Sequence, residues 1–526
     1  MNVVCLVYGI EIPSSDWEKT PASIKELVEK MGQRIKQSER ELADKEAENQ
    51  ELLEKTNRTS KNSSSPPSSD PLNAEKQKLK KKSDKKRGGQ AGHKGHSRFL
   101  YDTSECSKVL EHHPETCKCC KQSLVGVDSN PYRHQIVEIP PINPIIVEHR
   151  LHQLECQHCG TLTRATLPAD VPIRGYGVRV VALVAVLSGL YRHSTRMVQS
   201  AMQDIFGITM CLGTVNKLKL EASDAIESAV LEAKTYVQNS PVVGADETSF
   251  NQGNVDGSNS KNKKAWLWVG VTTPHASSRQ SRPTQWLPLV TFFQITLSRC
   301  TDTAKNLLGE NFGGILNSDR YAAYNWVGLE QRQLCWAHLK REFIKISERS
   351  GVSQDIGNAL VKQQEKLFEL WHRVRDGTLS RCEFQLLVPE IRNAIKSSLQ
   401  EAADYDIGAQ EKTPLAKTVR TCRQIFKVEQ ALWLFVTVEG VEPTNNAAER
   451  AIRPAVIWRR TSFGSQTTAG SNFVARMLTV VTTLKSQRRN VLEFMTQAVG
   501  AKRQAKPTPS LLPQVPVASA TVKNAA

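Results

Sequence analysis

Long hydrophobic runs are missing from this sequence, and their absence is the first constraint on the kind of protein it encodes. The longest uninterrupted apolar run, Val180 to Leu187, is far short of the roughly 20 residues that a helix needs to cross a bilayer. The apolar N-terminus has no basic residues before it and continues into Glu11 and Asp16, so we expect no secretory leader. We therefore expect a cytoplasmic protein with no membrane partner.

Cysteine is scarce too, at 12 of 526 residues, which excludes a scaffold held together by disulfides. Half of these cysteines nevertheless fall between positions 106 and 159, and four of the six form two Cys-x-x-Cys pairs, Cys117 with Cys120 and Cys156 with Cys159. Two such pairs supply the four thiolates of a tetrahedral zinc site, and the sequence between them predicts strands at 135–139 and 145–151. The 36-residue gap is longer than in common zinc ribbons, and Cys119 competes with Cys117 for the first pair. We predict a structural Zn²⁺ site in a zinc-ribbon-like domain at 105–165, with redox pairs as the weaker interpretation.

Acidic residues are in deficit: 70 Lys and Arg against 53 Asp and Glu leave a formal charge of +17. Residues 76–98 alone contribute +9, from ten basic side chains and one acid. Clustered Lys and Arg gain affinity for polyanions by releasing counterions, so nucleic acid is the expected partner. We define residues 76–104 as the basic arm. Its candidate phosphate contacts are Lys80, Lys81, Lys82, Lys85, Lys86, Arg87, Gln90 and His93.

The segments flanking the arm indicate a multidomain chain. Residues 23–56 lack proline and place Val28, Ile35, Leu42 and Asn49 at one heptad position, which predicts a coiled coil and a homo-oligomer. The Ser/Pro-rich stretch 57–75 and the tail 501–526 have the composition of disordered segments. Residues 166–240 are predicted to be helical and to bind DNA, and a Phe-Gly-Ile break there suits either a helix-turn-helix or an ordinary helical hairpin.

The most informative part of the chain begins at residue 241. Strand-like runs at 242–245, 266–272 and 289–297 precede a helical segment, a fourth strand at 314–316, a helix near 321–326 and a fifth strand at 332–335. That order is typical of a ribonuclease H-like core, in which the first and fourth strands are neighbours. Asp246 and Asp319 follow those two strands, and two close carboxylates are compatible when a divalent cation neutralises them.

Several longer strings resemble one family. They are GADETSF (244–250), NSDRYAAYN (317–325), CWAHLKREF (335–343), EPTNNAAERAIRP (442–454), FGSQTTAGSNF (463–473) and GGQAGHKG (88–95). Together with the paired cysteines they are similar to the DDE transposases of the insertion sequence 66 family. The resemblance extends from about residue 20 to residue 500 and preserves the order of the family's motifs.

The resemblance implies a catalytic triad of Asp246, Asp319 and Glu449. It implies a core first part at 241–345, an all-α insertion at 346–435 and a second part with the catalytic Glu at 436–500. Arg450 and Arg453 would meet phosphates or form salt bridges to neighbouring acids. His338 and Glu247 are candidates for active-site support.

The activity implied is Mg²⁺- or Mn²⁺-dependent cleavage at transposon ends, followed by attack of the exposed 3′-OH on target DNA. Its partners would be double-stranded DNA at terminal inverted repeats and target, with small accessory transposition proteins, in the nucleoid of a bacterial cytoplasm. The alternative is a decayed, non-catalytic DNA-binding protein that contains zinc. The intact triad argues against it.

Overall fold

The structure is a computed structural model, and it describes residues 4–7, 10–63, 99–169, 171, 175–261, 263–273 and 289–513. Most of the basic arm, part of the predicted linker and the end of the tail lie outside these residues. The described residues divide into two compact units. The second comprises those within Glu75–Ile146 together with Ile205–Gly207, and the first contains the rest.

The chain begins with a small hairpin and one long helix. The elements are β1 (Val4–Val7), β2 (Ile10–Pro13), α1 (Ser14–Lys19) and α2 (Ala22–Thr56). The helix expected at 23–56 is therefore confirmed, whereas its pairing with a second copy stays a prediction. Apolar side chains on its heptad positions are exposed, as at Met31, Ile35 and Leu42. Near its C-terminal end Glu54 accepts a hydrogen bond from Arg349 at 3.2 Å.

The cysteine-containing region has little regular structure. Its two strands are β3 (Gln153–Glu155) and β4 (Leu162–Arg164), which pair antiparallel. The strands predicted at 135–139 and 145–151 are not present, so that expectation was wrong. Alternating apolar residues there do not pack on a core: the side chains of Ile136 and Ile145 are 85% and 94% exposed.

A helical region follows, composed of α3 (Val178–Gly189), α4 (Thr195–Phe206), α5 (Leu212–Ala225) and α6 (Glu227–Gln238). The helix, break and second helix expected from the sequence are present. Gly207 has a φ of +65° directly after α4, a conformation that glycine adopts without strain. None of the helices in the described part of the chain is long and apolar enough to span a membrane.

The central sheet occupies the next hundred residues. Its elements are β5 (Val242–Phe250), β6 (Ala265–Thr272), β7 (Thr291–Thr296), α7 (Thr301–Leu308), β8 (Ile315–Ser318), β9 (Arg332–Leu334) and α8 (Trp336–Ser347). The strand order is β7-β6-β5-β8-β9, with β5, β8 and β9 parallel and β6 antiparallel to both of its neighbours. The first and fourth strands of the region are therefore adjacent, as predicted. The helix expected at 321–326 is only a 3-10 turn at Ala322–Tyr324.

Helices dominate the rest of the chain. They are α9 (Val352–Asp376), α10 (Arg381–Ala403), α11 (Pro414–Phe426), α12 (Leu434–Thr437), α13 (Asn446–Thr461), α14 (Thr468–Ser486) and α15 (Val491–Arg503). A buried apolar cluster joins α8 to α9 and α10 through Phe343, Leu360 and Phe384. Gly357 allows α9 to approach α8 closely, because a Cβ there would lie 2.2 Å from the Ser347 nitrogen.

Both outer strands of the sheet are covered by neighbouring segments. On β7, the backbone N–H groups of Thr291 and Phe293 donate to the hydroxyls of Thr483 and Thr479 on α14, each at 3.0 Å. On β9, the Gln333 side chain accepts from the backbone N–H of Phe435 at 2.9 Å, which fixes α12 beside this edge. The sheet thus lies between α14 and the helical segment that ends in α12.

Candidate active site

Asp246 and Asp319 lie opposite each other on neighbouring strands. In the parallel pair of β5 and β8, Val242, Val243 and Gly244 are in register with Ile315, Leu316 and Asn317, an offset of 73 residues. The same offset places Asp246 opposite Asp319, one residue past the end of β8. Adjacent strands are about 4.8 Å apart, so two residues in register at the same pleat present their carboxylates to one face of the sheet.

Helix α13 packs on that face and carries Glu449 in its first turn. Gly244 makes the approach close, because a Cβ there would lie 2.8 Å from Asn445 Oδ1. Asn445, the N-cap residue of α13, donates from its side chain to the Ala245 carbonyl at 2.7 Å. Since side chains alternate along a strand, Asp246 faces α13 as Gly244 does. The start of α13, and with it Glu449, is therefore tied to the residue next to Asp246.

The electrostatics of Asp246 reflect this crowding. Burial raises the pKa of its carboxyl well above the usual range, and the negative charges of Glu247, Asp319 and Glu449 add to the rise. The Glu247 backbone N–H donates to Asp246 Oδ1 at 2.9 Å and opposes the rise only in part. Several acids therefore surround one buried carboxyl, an arrangement that attracts a cation.

The described residues contain one group of three metal-ligand side chains whose donor atoms all lie within 4.8 Å of one another, and it is not the predicted triad. It consists of Cys335, His338 and Glu449. His338 Nδ1 lies 3.7 Å from Glu449 Oε1, and Cys335 Sγ lies 3.9 Å from the same oxygen. The negative charge of Glu449 is thus close enough to raise the pKa of Asp246. The Glu449 carboxylate itself, however, lies beside Cys335 and His338.

Glu247, the alternative metal ligand, lies on the opposite face of β5 from Asp246. Arg299 donates to its Oε1 at 2.6 Å, and the Tyr324 hydroxyl donates to its Oε2 at 2.7 Å. Its side chain is only 2% exposed. Burial raises the pKa of Glu247, whereas its hydrogen bonds from Tyr324 and Arg299 oppose the rise. Glu247 therefore anchors a buried network beneath the site.

That network contains residues that sequence reasoning missed. The Arg299 guanidinium lies between the rings of Tyr321 and Trp266, 3.7 and 4.3 Å from their centroids. Arg332, 2% exposed, donates to the backbone carbonyl of Asp319 at 2.9 Å, and burial lowers its pKa to about 10. Tyr324 lies in the family-like string NSDRYAAYN (317–325), so the sequence could have marked it as a site residue. Arg299 and Arg332 lie in no such string.

The two arginines predicted to meet phosphates lie on the outer side of α13. Arg450 and Arg453 are both exposed, and among the described residues neither forms an ion pair with an acid. Of the two interpretations open from the sequence, the salt bridge is therefore not supported by the structure. The contact with phosphate stays a prediction.

Both Cys-x-x-Cys pairs form tight turns. In the first, the backbone carbonyl of Cys117 accepts from the Lys121 N–H at 3.0 Å, and the Cys117 N–H donates to the Gln122 carbonyl at 2.9 Å. The backbone N–H groups of Cys120 and Cys119 face the Cys117 sulfur and lower its pKa. In the second pair, a hydrogen bond with Thr161 lowers the pKa of Cys159.

These local features favour thiolates, the form that binds zinc. Because the N–H of Cys119 points at the Cys117 sulfur, the turn favours Cys117 rather than Cys119 as the first ligand. All four predicted ligands have free thiols in the structure. Each pair, taken by itself, presents two sulfurs in a turn that suits zinc ligation.

Comparison with known proteins agrees with these observations. The profile of the "Transposase IS66 family" matches residues 176–472, and that of the "zinc-finger binding domain of transposase IS66" matches residues 114–160. A family of unknown function matches residues 14–99. The first match contains Asp246, Asp319 and Glu449, and the second contains both cysteine pairs.

Two relatives come from Sinorhizobium fredii (strain NBRC 101917 / NGR234). "Uncharacterized protein y4qI" is 31% identical over 260 residues, which cover 47% of this chain and 45% of that protein. "Uncharacterized protein y4hP" is 24% identical over 410 residues, or 73% of this chain and 70% of that protein. The chain thus spans less than half of one relative and about two thirds of the other. More than half of its own length matches a single family profile, and the chain belongs to the IS66 transposase family.

Proposed function

We propose that this protein is a DDE-type DNA transposase, which cleaves DNA at transposon ends and joins the exposed 3′-OH to target DNA. The observation that carries the proposal is the register of the adjacent parallel strands β5 and β8, which sets Asp246 opposite Asp319. Glu449 lies on α13, whose N-cap residue Asn445 is hydrogen-bonded to β5. The arrangement brings the elements that carry these three acids to one side of the sheet, although the acids are far apart in the sequence. A purely structural role does not require such a meeting.

The fold supports this proposal. Three antiparallel strands followed by two parallel ones, in the order β7-β6-β5-β8-β9, are the arrangement of a ribonuclease H-like core. The helices α9, α10 and α11 then form the all-α insertion between β9 and the helix that bears Glu449. We assign the core to 241–345 and 436–500 and the insertion to 346–435.

The residues present fit divalent cations. Carboxylate oxygens are hard ligands that Mg²⁺ and Mn²⁺ prefer, and burial together with the neighbouring acids raises the pKa of Asp246, so a bound cation would stabilise its charge. When bound, two such ions activate the attacking oxygen and stabilise the leaving one. Asp246, Asp319 and Glu449 would hold them.

The remaining site residues position these groups. Arg332 fixes the peptide carbonyl of Asp319, while Glu247 with Arg299 and Tyr324 supports the back of β5. Arg450 and Arg453, exposed on the helix of Glu449, would contact DNA phosphates beside the reacting bond. His338 lies beside Glu449 and contributes to its orientation.

Binding to DNA would be divided among several regions. The lysines of the basic arm would bind phosphates with little sequence preference, and the zinc-finger domain and the α4–α5 helices would recognise the terminal inverted repeats. Helix α2 would join two or more copies, and small accessory proteins would act with them. With these roles, we expect the protein to act on the nucleoid in a bacterial cytoplasm.

The test is strand transfer with purified full-length protein, labelled transposon ends and Mg²⁺. Asp246→Asn, Asp319→Asn and Glu449→Gln should each reduce transfer to the level of the uncatalysed reaction while a gel shift of the ends is retained. Glu390→Gln, an exposed carboxylate on α10, is the matched control and should leave transfer unchanged. Near-normal transfer by any of the three variants would contradict the triad, and a wild-type protein that shifts DNA without nicking it would instead be the non-catalytic DNA-binding protein.

A further inference from the structure

One cluster near the site is chemically unlike a carboxylate triad. Cys335 caps the N-terminus of α8, His338 lies in its first turn, and Glu449 reaches them from α13. Their donor atoms lie within 4.8 Å of one another, with Glu449 Oε1 at 3.7 Å from the imidazole and 3.9 Å from the sulfur. A thiol, an imidazole and a carboxylate at such distances are the ligand types of a zinc ion.

Several backbone N–H groups point at the sulfur of Cys335. The Asn445 N–H donates to Cys335 Sγ at 3.2 Å, and the N–H groups of His338 and Ala337 also face it. Burial, together with the negative charge of Glu449, nevertheless raises the pKa of the Cys335 thiol to about 11, and these donors oppose the rise only in part. The thiol is therefore neutral until a metal ion displaces its proton. Cys335 is also 1% exposed, so its thiol is protected from exchange with other thiols.

The imidazole supplies a second, independent observation. His338 Nδ1 is buried and has no hydrogen-bond partner in the described part of the chain, and its nearest polar neighbour is the Glu449 oxygen, beyond hydrogen-bond distance. A buried nitrogen in this position costs free energy unless something occupies the space in front of it. A metal ion between Nδ1, Sγ and Oε1 would satisfy all three atoms at once.

We propose that Cys335, His338 and Glu449 form a binding site for a soft divalent ion, of which Zn²⁺ is the natural example. Sulfur and imidazole select such ions over Mg²⁺, which prefers oxygen ligands and keeps its waters. On binding, the Cys335 thiol gives its proton to solvent and the metal–sulfur bond forms. No oxidant or other co-reactant is needed.

The proposal has a consequence for regulation. Glu449 is a ligand in both the soft-metal site and the proposed Mg²⁺ site, so a soft ion holds this carboxylate with Cys335 and His338 and prevents it from acting with Asp246 and Asp319. Zinc is therefore an inhibitor that competes with Mg²⁺. This inhibitory consequence rests on the proposed function, whereas binding of the ion does not.

Binding is tested with Co²⁺, whose bonds to thiolate give a charge-transfer absorption that Zn²⁺ lacks. Full-length protein is first given a single equivalent of zinc, which the four thiolates of the finger take in preference to a site with one thiolate, and Co²⁺ is then titrated. Wild-type protein should bind one further equivalent with a thiolate-to-cobalt band. Cys335→Ser should lose this band, and His338→Asn should weaken binding by at least tenfold.

Cys422→Ser is the matched control, because Cys422 is a fully buried cysteine on α11 that does not belong to the group. It should bind the additional equivalent as the wild type does. Circular dichroism of each variant establishes that it has folded, and His338→Asn keeps the test decisive if Cys335→Ser does not fold.

Two results would overturn the site: no equivalent beyond those of the finger, or an equal band in Cys335→Ser and His338→Asn. Inhibition is measured separately, as the loss of Mg²⁺-dependent strand transfer on adding Zn²⁺, and Cys335→Ser should require at least tenfold more Zn²⁺. A protein that binds Co²⁺ here but never transfers strands would refute the proposed function and leave the metal site standing.

Discussion

The zinc-finger region and the central sheet are stabilised in different ways. Around the cysteine pairs the apolar side chains are exposed, as at Val125 and Tyr132, and regular structure is limited to two strands of three residues each. In the sheet, by contrast, Leu267, Trp268 and Phe293 are almost completely buried. The contrast teaches that packing stabilises the sheet, whereas the finger must obtain its stability from a metal ion.

The largest expected effect comes from removing that ion. Structural zinc in small domains contributes about 10–16 kcal/mol of binding free energy, so chelation, or Cys120→Ser, should unfold the finger. Limited proteolysis should then cut within 105–165, while the fragment containing the sheet stays resistant. If the finger resists the protease equally well without metal, the contrast between the two regions does not hold.

The converse change removes packing from the core. Phe343→Ala in α8 should lower the free energy of unfolding by about 3–5 kcal/mol, because Phe343 is fully buried in the cluster that joins α8 to α9 and α10. Val125→Ala in the zinc-finger region is the control, and at a fully exposed side chain it should change stability by less than about 0.5 kcal/mol. Urea denaturation measures both. Equal losses would show that Val125 is packed in solution.

A smaller effect is expected at the edge of the sheet. Thr483→Val should lower the free energy of unfolding by about 1–3 kcal/mol, because it leaves the buried Thr291 N–H without its acceptor. Thr496→Val on α15 is the matched control, because within the described residues the Thr496 hydroxyl bonds to the Leu492 carbonyl of its own helix and to no sheet strand. Hydrogen exchange at the Thr291 amide should accelerate in the first variant and not in the second.

The smallest effect, and the one of opposite sign, is expected at Asp246. Because its pKa in the folded state lies above the unfolded value, the ionised carboxyl destabilises the fold. This destabilisation is absent when the pH is below the pKa of Asp246 in the unfolded state. It develops as the pH rises and is complete above the pKa of Asp246 in the folded state. At neutral pH and without divalent cations, Asp246→Asn should therefore melt at a higher temperature than the wild type, and the gap should close in acid. A lower melting temperature would show that Asp246 stabilises the sheet.

The sequence was informative where apolar periodicity is continuous. The strand β6 and the helices flanking Gly207 are recognisable from their own residues, and the adjacency of β5 and β8 follows from the order of elements. The supposed strands near Ile136 and Ile145 show the weakness of the method: an alternating pattern becomes a strand only if a partner strand and a core are available.

The candidate site divides in the same way. Asp246 and Asp319 could be predicted because strand order alone brings them together. The contacts of Arg299 with Glu247 and of Arg332 with Asp319 could not, since they depend on how loops pack after the sheet has formed. The meeting of Glu449 with Cys335 and His338 was also out of reach, because more than a hundred residues, most of them helical, separate them in the sequence.

The hydroxyls that α14 presents to β7 have a further consequence. An outer strand with free N–H and C=O groups is a template on which another chain can add a strand, and crowded copies of a protein aggregate by that route. Here Thr479, Thr483 and Ser486 occupy the backbone groups of that edge, so strand exchange there first requires α14 to detach. Crowded copies of this protein can therefore lie side by side without fusing their sheets.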